Sequence, residues 1–285
     1  MPEYPEMAAL AERLGERVRG SRLAAATGLG FSGLKTVAPP PESLVGLVAA
    51  DVRTRGKFLV VDFGGPRLAV HLSQGGRVDV EDPPKTTRPR GAVVRFRFGS
   101  GTGTGTGTGV LVKEFGTERK AGWWVLGPGD DGPMAPLGPE ARSAAARALL
   151  LTGDDKRRVH TLLRDQRTIA GIGRGYTNDI LHRAEISPYA TLAGLTPPAR
   201  HALADAVDAV LGEGLAEERR RRQGGLPPKL GDHWVVHGRH GQPCPRCGDD
   251  LRRVWYDAYE VSYCPRCQTG GKVLADRRMS RLVKG

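Results

Sequence analysis

The period of the hydrophobic positions changes along the chain, and the first period is helical. In MAALAERLGERVRG (7–20) apolar side chains recur every three or four residues and form one stripe of a helix. The residues of the stripe are Met7, Leu10, Leu14 and Val18. This spacing predicts an amphipathic helix near the start of the chain.

Short apolar runs separated by turn residues follow. They are FLVVDF (58–63), RLAVHL (67–72), VVRFRF (93–98), GVLVKEF (109–115) and WWVL (123–126). Such runs are typical of antiparallel strands and predict a sandwich or barrel of about 100 residues. The repeat SGTGTGTGTG (100–109) has the composition of a flexible hairpin connection. A phosphate-binding loop is disfavoured there, because neither Lys-Ser/Thr nor a helix follows.

Helical periodicity returns after a Gly- and Pro-rich linker at 127–139. The apolar stripes lie in the segments 139–151, 156–171, 177–186 and 196–215. The last stripe leads into EERRRRQGG (217–225), a charge run that is either a solvated face or a phosphate-binding one. The pattern predicts an all-α segment after the strands.

The net positive charge of the chain indicates an anionic partner. The 285 residues include 43 Lys and Arg against 31 Asp and Glu, a net charge of +12. Such an excess favours a polyanion, either nucleic acid or a membrane surface. No apolar run approaches the roughly 20 residues of a transmembrane helix, and the start lacks a signal-peptide pattern. We therefore expect a cytoplasmic, monomeric protein that binds nucleic acid and no membrane.

The four cysteines predict a metal site. Cys244 and Cys247 form one C-x2-C pair, Cys264 and Cys267 form another, and sixteen residues separate the pairs. Each pair can chelate from a tight turn, and the intervening residues suit a β-hairpin. Four thiolates favour one tetrahedral zinc ion in a closed, structural site. Iron–sulfur ligation is the remaining alternative.

A glycine-containing turn joins two of the predicted helices. In AGIGRG the residues Gly171 and Gly173 permit a tight turn, and a helix begins just after it. Backbone amides at that helix start, with Arg174 beside them, suit a phosphate group. The alternative is that these glycines serve only the turn.

Four segments together carry a resemblance to a known family. The chain resembles the formamidopyrimidine-DNA glycosylase/endonuclease VIII family in four segments that occur in the same order: MPEYPE, RGKFLVV, AGIGRGYTNDIL and the paired CPRC motifs. Within that family it resembles a divergent, actinobacterial-like member. The resemblance implies an α+β multidomain protein. The expected segments are an N-terminal antiparallel β-sandwich with an N-terminal helix (1–130), a helix–two-turn–helix DNA-binding domain (131–235), a β-hairpin zinc finger (236–270) and a basic tail (271–285).

The resemblance also implies a catalytic set. Pro2, freed by removal of Met1, would be the nucleophile, because a terminal amine has a pKa near ~8 and is more often free base than lysine. Its attack on C1′ of a damaged nucleoside gives an iminium intermediate. Glu3 would protonate the sugar ring oxygen with Glu6 in support, and Lys57 would hold a phosphate. The alternatives are helix-start stabilisation for the glutamates and a solvated lysine beside a strand.

The residues expected to fill the void left by an extruded base differ from the family pattern. In HLSQGG the residue Gln74 stands where the family has methionine. Glu114 stands where an arginine is expected, and Phe115 is retained as a wedge. A carboxylate would face DNA poorly, so this region is either repositioned or reads something different.

Other expected DNA contacts also depart from the family. Arg174 replaces an asparagine after the glycine turn, and Tyr259 replaces an arginine of the zinc hairpin. Tyr259, like its hairpin neighbours Trp255 and Tyr256, could stack on an unpaired base or serve only in packing. Gly173 and His160 complete the predicted DNA-binding set. The basic tail could add a phosphate contact or only solubility.

Three functions are compatible with this pattern. The first is a bifunctional DNA glycosylase and AP lyase of base-excision repair, which extrudes and excises an oxidised base and then nicks the strand. The second redirects the same chemistry to bulky alkyl adducts, crosslinks or single-stranded DNA. The third is a damage-binding relative without lyase chemistry. The expected partner is damaged double-stranded DNA, with single-stranded or abasic-site DNA as the alternatives.

Overall fold

The computed structural model describes residues 1–99, 107–115, 119–221, 224–228, 230–231, 233–256 and 259–275. The chain forms two compact units. The first compact unit is Met1–Pro136 with Leu215–Leu230, and the second is Leu137–Gly214 with Gly231–Gly285. These units group residues 137–214 with the C-terminal residues, whereas the predicted domain ranges separate them. Most of the Gly-Thr repeat and four of the five basic residues of the tail, Arg277, Arg278, Arg281 and Lys284, lie outside the described residues.

The first compact unit consists of one helix and two antiparallel sheets. Helix α1 is Tyr4–Val18, and the strands are β1 (Leu23–Gly28), β2 (Asp51–Arg55), β3 (Phe58–Asp62), β4 (Arg67–His71), β5 (Gly76–Glu81), β6 (Ala92–Phe98), β7 (Thr108–Glu114) and β8 (Gly122–Leu126). The sheets have the orders β1-β6-β7-β5 and β2-β3-β4-β8. The predicted sandwich with an N-terminal helix is confirmed.

The core of this unit lies between the two sheets and α1. The apolar stripe of α1 is buried in one cluster with residues of both sheets. Trp123 is among the largest buried side chains, and its ring meets Phe96 edge-on with 5.5 Å between centroids. Because α1 is buried against strands on one face, the residues at its N-terminus are held in a fixed position.

The second compact unit consists of helices followed by a hairpin. Its elements are α2 (Ala144–Thr152), α3 (Val159–Arg164), α4 (Arg174–Arg183), α5 (Pro197–Arg220), the antiparallel strands β9 (Arg252–Tyr256) and β10 (Tyr259–Tyr263), and α6 (Pro265–Thr269). The last residues of α5 belong to the first compact unit. The helix pair α3–α4 and the hairpin confirm the predicted fold class.

Polar side chains buried along α4 fix the segment that leads to the zinc finger. The Asp179 carboxylate accepts hydrogen bonds from the amides of Val235 and Val236 at 2.8 and 2.9 Å. Asn178 Nδ2 and His237 Nδ1 lie 2.7 Å apart. The helix that follows the glycine turn therefore also positions the start of the zinc finger. In the described ranges, no helix is long and apolar enough to cross a membrane.

Candidate active site and metal centre

The chain enters α1 through a capping box built from two glutamates. The Glu3 amide donates to Glu6 Oε2 at 2.9 Å, and the Glu3 side chain accepts from the Glu6 amide. These bonds satisfy donors that every helix start leaves open. Both carboxyl groups are also buried, with exposures of 3% and 1%. The two carboxyl groups therefore lie in the protein interior and not on a solvated helix face.

Charged side chains surround the terminal amine beside Pro2. Burial lowers the pKa of the Met1 amino group, and Arg77 and Lys57 act in the same direction, while Glu3 and Glu6 oppose them. The net effect increases the fraction of free amine at neutral pH. The structure thus brings the four predicted catalytic residues, at positions 2, 3, 6 and 57, to one place in the first compact unit.

A second carboxyl group lies beside Glu6. Glu218, near the end of α5, is buried, and its carboxylate oxygen lies within 4.8 Å of one from Glu6. Burial, followed by the charges of Glu3 and Glu218, raises the pKa of Glu6 to about 8. Glu6 is therefore mainly protonated at neutral pH. Sequence reasoning missed Glu218 because it stands in a charge run that is typical of a solvated helix face.

A histidine that sequence reasoning also missed, His71, lies near Lys57. Lys57 is 5% exposed and directly precedes β3. The next residue, Phe58, is the register partner of His71 in β4. Burial and the charge of Lys57 lower the pKa of His71 to about 4, so its ring is neutral at pH 7. His71 is the first residue of the HLSQGG motif, so the motif itself could have identified it.

Gln74 and Phe115 occupy neighbouring loops at one end of the β5–β7 pair. The Phe115 amide donates to Gly75 O at 2.9 Å. Gln74 is exposed, and the Phe115 ring is 47% exposed. The structure therefore presents both predicted void-filling side chains at one surface.

Glu114 has a structural task. Its carboxylate is buried, and Oε1 accepts the amides of Lys120 and Ala121 at 2.8 and 2.7 Å. These bonds join the last residue of β7 to the residues just before β8. Of the two interpretations of this region, the structure supports repositioning, because the carboxylate is turned into the protein.

Arg77 fixes the loop that carries Gln74. Its buried guanidinium donates to Gln74 O at 3.2 Å and to the carbonyls of Pro227 and Pro228 at 2.8 Å each. All these groups belong to the first compact unit. Arg77 thus connects the segment after α5 to the Gln74 loop and contributes charge at the N-terminus.

The glycine turn of the second compact unit is held by a glutamine. Gln166 Oε1 accepts the Gly171 amide at 2.9 Å, and Gln166 Nε2 donates to Ile172 O at 2.7 Å. Gly173 is the N-cap residue of α4, and Arg174 is exposed in the first turn. The geometry therefore places an exposed arginine at the start of the helix that follows the glycine turn.

His160 and Tyr259 lie in different environments. His160 is 2% exposed, and burial, together with the Arg164 charge, lowers its pKa to about 3. Its predicted DNA contact stays a prediction, and in the structure its ring lies in the interior. Tyr259 is 39% exposed, and the Arg164 guanidinium lies 3.7 Å from its ring centroid. Trp255 is partly buried.

The four cysteines form the site of one structural zinc ion. All four Sγ atoms lie within 4.8 Å of one another, with Cys247–Cys264 at 3.5 Å and Cys244–Cys267 at 3.9 Å. A tetrahedron with Zn–S distances of about 2.3 Å has S···S edges of about 3.8 Å. Burial raises the pKa of the Cys264 thiol to about 11. Thiolates gathered this closely therefore need a cation, and the donor set fits zinc.

Two side chains connect this metal site to the rest of the second compact unit. His182 Nε2, on α4, lies 3.2 Å from Cys244 Sγ. Gln268 accepts the Cys264 amide through Oε1 at 2.8 Å and donates through Nε2 to Ile186 O at 2.9 Å. Groups that bond to the ligands in this way orient them for the metal.

The fold and the motifs define a protein with a helix–two-turn–helix element and a cysteine zinc finger, and comparisons with known proteins specify its family. Residues 1–106 match the formamidopyrimidine-DNA glycosylase N-terminal domain. Residues 137–223 match the formamidopyrimidine-DNA glycosylase H2TH domain, and residues 241–270 match the zinc finger found in FPG and IleRS. The chain belongs to the formamidopyrimidine-DNA glycosylase family.

Individual relatives agree with this assignment. The chain is 32% identical to a formamidopyrimidine-DNA glycosylase of Symbiobacterium thermophilum over 98% of its own length and 93% of the relative. It is 44% identical to an uncharacterized formamidopyrimidine-DNA glycosylase-like protein of Mycobacterium tuberculosis, over 52% of this chain and 94% of that one.

Solved structures show the same fold. The MutM (FPG) protein of Thermus thermophilus has a TM-score of 0.78 at 26% identity, covering 95% of this chain and 100% of that one. A Lactococcus lactis FPG complex with DNA containing Fapy-dG has a TM-score of 0.78 at 20% identity, covering 94% of this chain and 100% of that one.

Proposed function

We propose that the protein is a bifunctional DNA glycosylase and AP lyase that excises damaged, oxidised bases through a Pro2 iminium intermediate. The observation that carries this proposal is the charged cluster at the terminal amine. Buried Glu3, Glu6 and Lys57 meet there, and burial lowers the pKa of the Met1 amino group, one residue before Pro2. This arrangement supports a nucleophilic amine at the start of the chain, with an acid and a cation within reach.

The chemistry assigns one task to each residue. After removal of Met1, the Pro2 nitrogen attacks C1′ of the extruded nucleotide, the glycosidic bond breaks, and the base leaves. Glu3 protonates the ring oxygen as the sugar opens to the iminium. The electrophilic sugar can then lose its phosphates by elimination. Lys57 holds the phosphate beside the lesion.

Glu6 contributes a proton that is already in place. Because burial, Glu3 and Glu218 raise its pKa to about 8, the group is a neutral acid at pH 7. It also accepts the Glu3 amide. We assign Glu6 to positioning Glu3 and to supplying a proton when Glu3 has given up its own.

The remaining predicted residues would hold the DNA. Gln74 and Phe115 are exposed at one surface of the first compact unit, where they can enter the space left by the extruded base. Arg174, next to Gly173 at the start of α4, would offer a cation to a phosphate in the second compact unit. The Tyr259 ring is available for stacking, and His160 would act from the interior by supporting α3. Damaged or abasic double-stranded DNA is the proposed partner.

Borohydride trapping on a duplex with an abasic site tests the proposal. Reduction of the iminium joins protein to DNA, and we expect mass spectrometry to locate the adduct on Pro2 in protein shown to lack Met1. Pro2→Gly should lose most of the trapping and strand cleavage. Undiminished cleavage by that variant, or an adduct on another residue, would overturn the mechanism.

The position of Glu114 favours a second candidate. The Glu114 carboxylate is bonded inside the protein. Phe115 therefore has no neighbouring arginine at position 114 with which to contact the base opposite the lesion. The same chemistry could therefore act on bulky adducts, crosslinks or single-stranded DNA. Steady-state turnover of 8-oxoguanine opposite cytosine distinguishes the two, because the second candidate predicts little activity on that substrate.

A further inference from the structure

Phe31 is fully exposed although its turn is firmly held. Its exposure reaches 109% of the reference value. The Gly30 amide donates to Val93 O at 2.9 Å, and the Trp123 amide donates to Gly33 O at 2.9 Å. A Cβ atom added to Gly33 would lie 2.7 Å from Val93 Cγ1, so the turn packs closely on β6. The anchored turn therefore holds a whole aromatic ring in solvent, where a flat partner can stack on it.

Three arginines share a cleft with this ring. The cleft has a volume of about 430 Å³, and Arg88, Arg90 and Arg119 line it together with Phe31. All three arginines are exposed. Across the ranges that the structure describes, none of them has an ion pair with a carboxylate. We refer to this surface as the Phe31 cleft.

Among the described residues that line the Phe31 cleft, the one carboxylate is already used. Glu114 lines the cleft, but it is buried and accepts the amides of Lys120 and Ala121. Its charge therefore serves the loop closure, and the three guanidinium groups leave an excess of positive charge. Charge complementarity favours an anionic ligand with a flat apolar part.

We propose that the Phe31 cleft binds an unpaired nucleotide of DNA. The base stacks on the Phe31 ring, and the flanking phosphates contact the arginines. A nucleobase has the flat face that an exposed aromatic ring accepts without sequence preference, and the cleft volume lies within the usual range of ligand pockets, about 300–1,000 Å³. This inference rests on the proposed function for its DNA partner, but it does not require the Pro2 chemistry.

A pair of fluorescent duplexes tests the proposal by binding alone. One carries 2-aminopurine as an unpaired nucleotide opposite a gap, and the other carries it fully paired. We expect Phe31→Ala to weaken binding of the gapped duplex by about 5- to 150-fold, the range of a lost base–aromatic stack, with little change for the paired duplex. The wild type should also quench 2-aminopurine at the gap, and Phe31→Trp should retain both effects.

The matched control is Val37→Ala. Val37 is 98% exposed and does not line the cleft, so its removal should leave both affinities unchanged. Loss of Arg88 and Arg90 together should reduce the salt slope of gapped-duplex binding by about one to two, since each phosphate contact contributes about 0.7–0.9. Because Phe31 and both arginines are exposed, these variants should fold, and circular dichroism checks that they do.

The outcomes separate this inference from the proposed function. If the wild type fails to bind an abasic duplex, the proposed function fails. If it binds that duplex while Phe31→Ala leaves gapped-duplex binding unchanged, or weakens both duplexes equally, the cleft proposal alone is overturned. A polyglutamate peptide that binds in a Phe31-dependent way, without such dependence for gapped DNA, would assign the cleft to a protein partner and also overturn it.

Discussion

At the scale of single residues, the buried carboxyl of Glu6 makes stability depend on pH. The folded chain keeps its proton up to about pH 8, whereas the ordinary value is 4.5. The folded state therefore binds more protons between these values, and stability falls as the pH rises through that window. Glu6→Gln keeps an acceptor for the Glu3 amide and removes the titration.

We expect Glu6→Gln to gain stability relative to the wild type as the pH rises from 4.5 to 9. The gain should be about 1 kcal/mol or more, since each pKa unit corresponds to about 1.4 kcal/mol. Urea unfolding at several pH values measures it. Glu16→Gln is the control, because Glu16 is exposed on the same helix. A stability difference that stays constant with pH would contradict this account of Glu6.

Glu114 is expected to matter for folding more than for catalysis. Glu114→Ala removes the acceptor of the Lys120 amide and of the buried Ala121 amide, at a cost of about 1–3 kcal/mol. Glu114→Gln retains an acceptor oxygen and should cost less. Thermal unfolding of the two variants checks the order. If Glu114→Ala were as stable as the wild type but impaired in DNA binding, the carboxylate would face DNA after all.

At the scale of elements, the sequence predicted strands well where apolar residues are continuous. The runs at β3, β4, β6, β7 and β8 lie within one or two residues of the observed bounds. Three strands of the first compact unit were not predicted. They are β1 (LAAATG), β2 (DVRTR) and β5 (GRVDVE). Their small or charged side chains give no clear alternation of apolar and polar positions. The extended conformation of these segments depends on pairing with a neighbouring strand.

The same limit applies to the candidate site. The motifs identified Glu3, Glu6 and Lys57, because the family pattern carries them. Arg77 and Glu218 act through contacts that only the fold creates, one with carbonyls about 150 positions away and the other beside Glu6. No local pattern signals a side chain whose partners are distant in the chain.

The zinc hairpin and α3 are expected to bind DNA as one element through Arg164 and Tyr259. The guanidinium lies 3.7 Å from the ring centroid, a cation–π contact that holds a positive charge beside the hairpin tip. A double-mutant cycle with Arg164→Ala and Tyr259→Ala should show coupling of about 0.5–1 kcal/mol in affinity for an abasic duplex. Tyr259→Phe should behave as the wild type.

A second stacked pair supplies the control for that cycle. Arg158 lies 4.1 Å from the Tyr189 ring centroid, and its Nη1 atom is buried. The same cycle on this pair should show coupling in stability and none in DNA affinity. Additive effects of the Arg164 and Tyr259 variants on affinity would show that the two side chains act separately.

At the scale of the whole molecule, zinc couples the hairpin to the helical part of the second compact unit. Four cysteines bind the ion, His182 Nε2 lies 3.2 Å from Cys244 Sγ, and Gln268 connects Cys264 to the backbone at Ile186. Removal of the metal leaves thiols in a buried cluster where burial raises the pKa of Cys264 to about 11. Metal loss should therefore disturb more than the hairpin.

We expect chelation of one zinc per chain to lower the thermal midpoint of the second compact unit and to abolish tight binding of abasic DNA, because metal binding contributes directly to folding in such sites.

His182→Ala should retain the ion but weaken its affinity by about 10- to 100-fold, the usual effect of losing a group that orients a ligand. Competition with a chromogenic chelator measures that affinity, and metal analysis gives the stoichiometry. Arg183→Ala, on the next residue of α4, pairs with Glu213 at the surface and is the matched control. Equal zinc affinities for the wild type and His182→Ala would show that His182 only packs against the metal site.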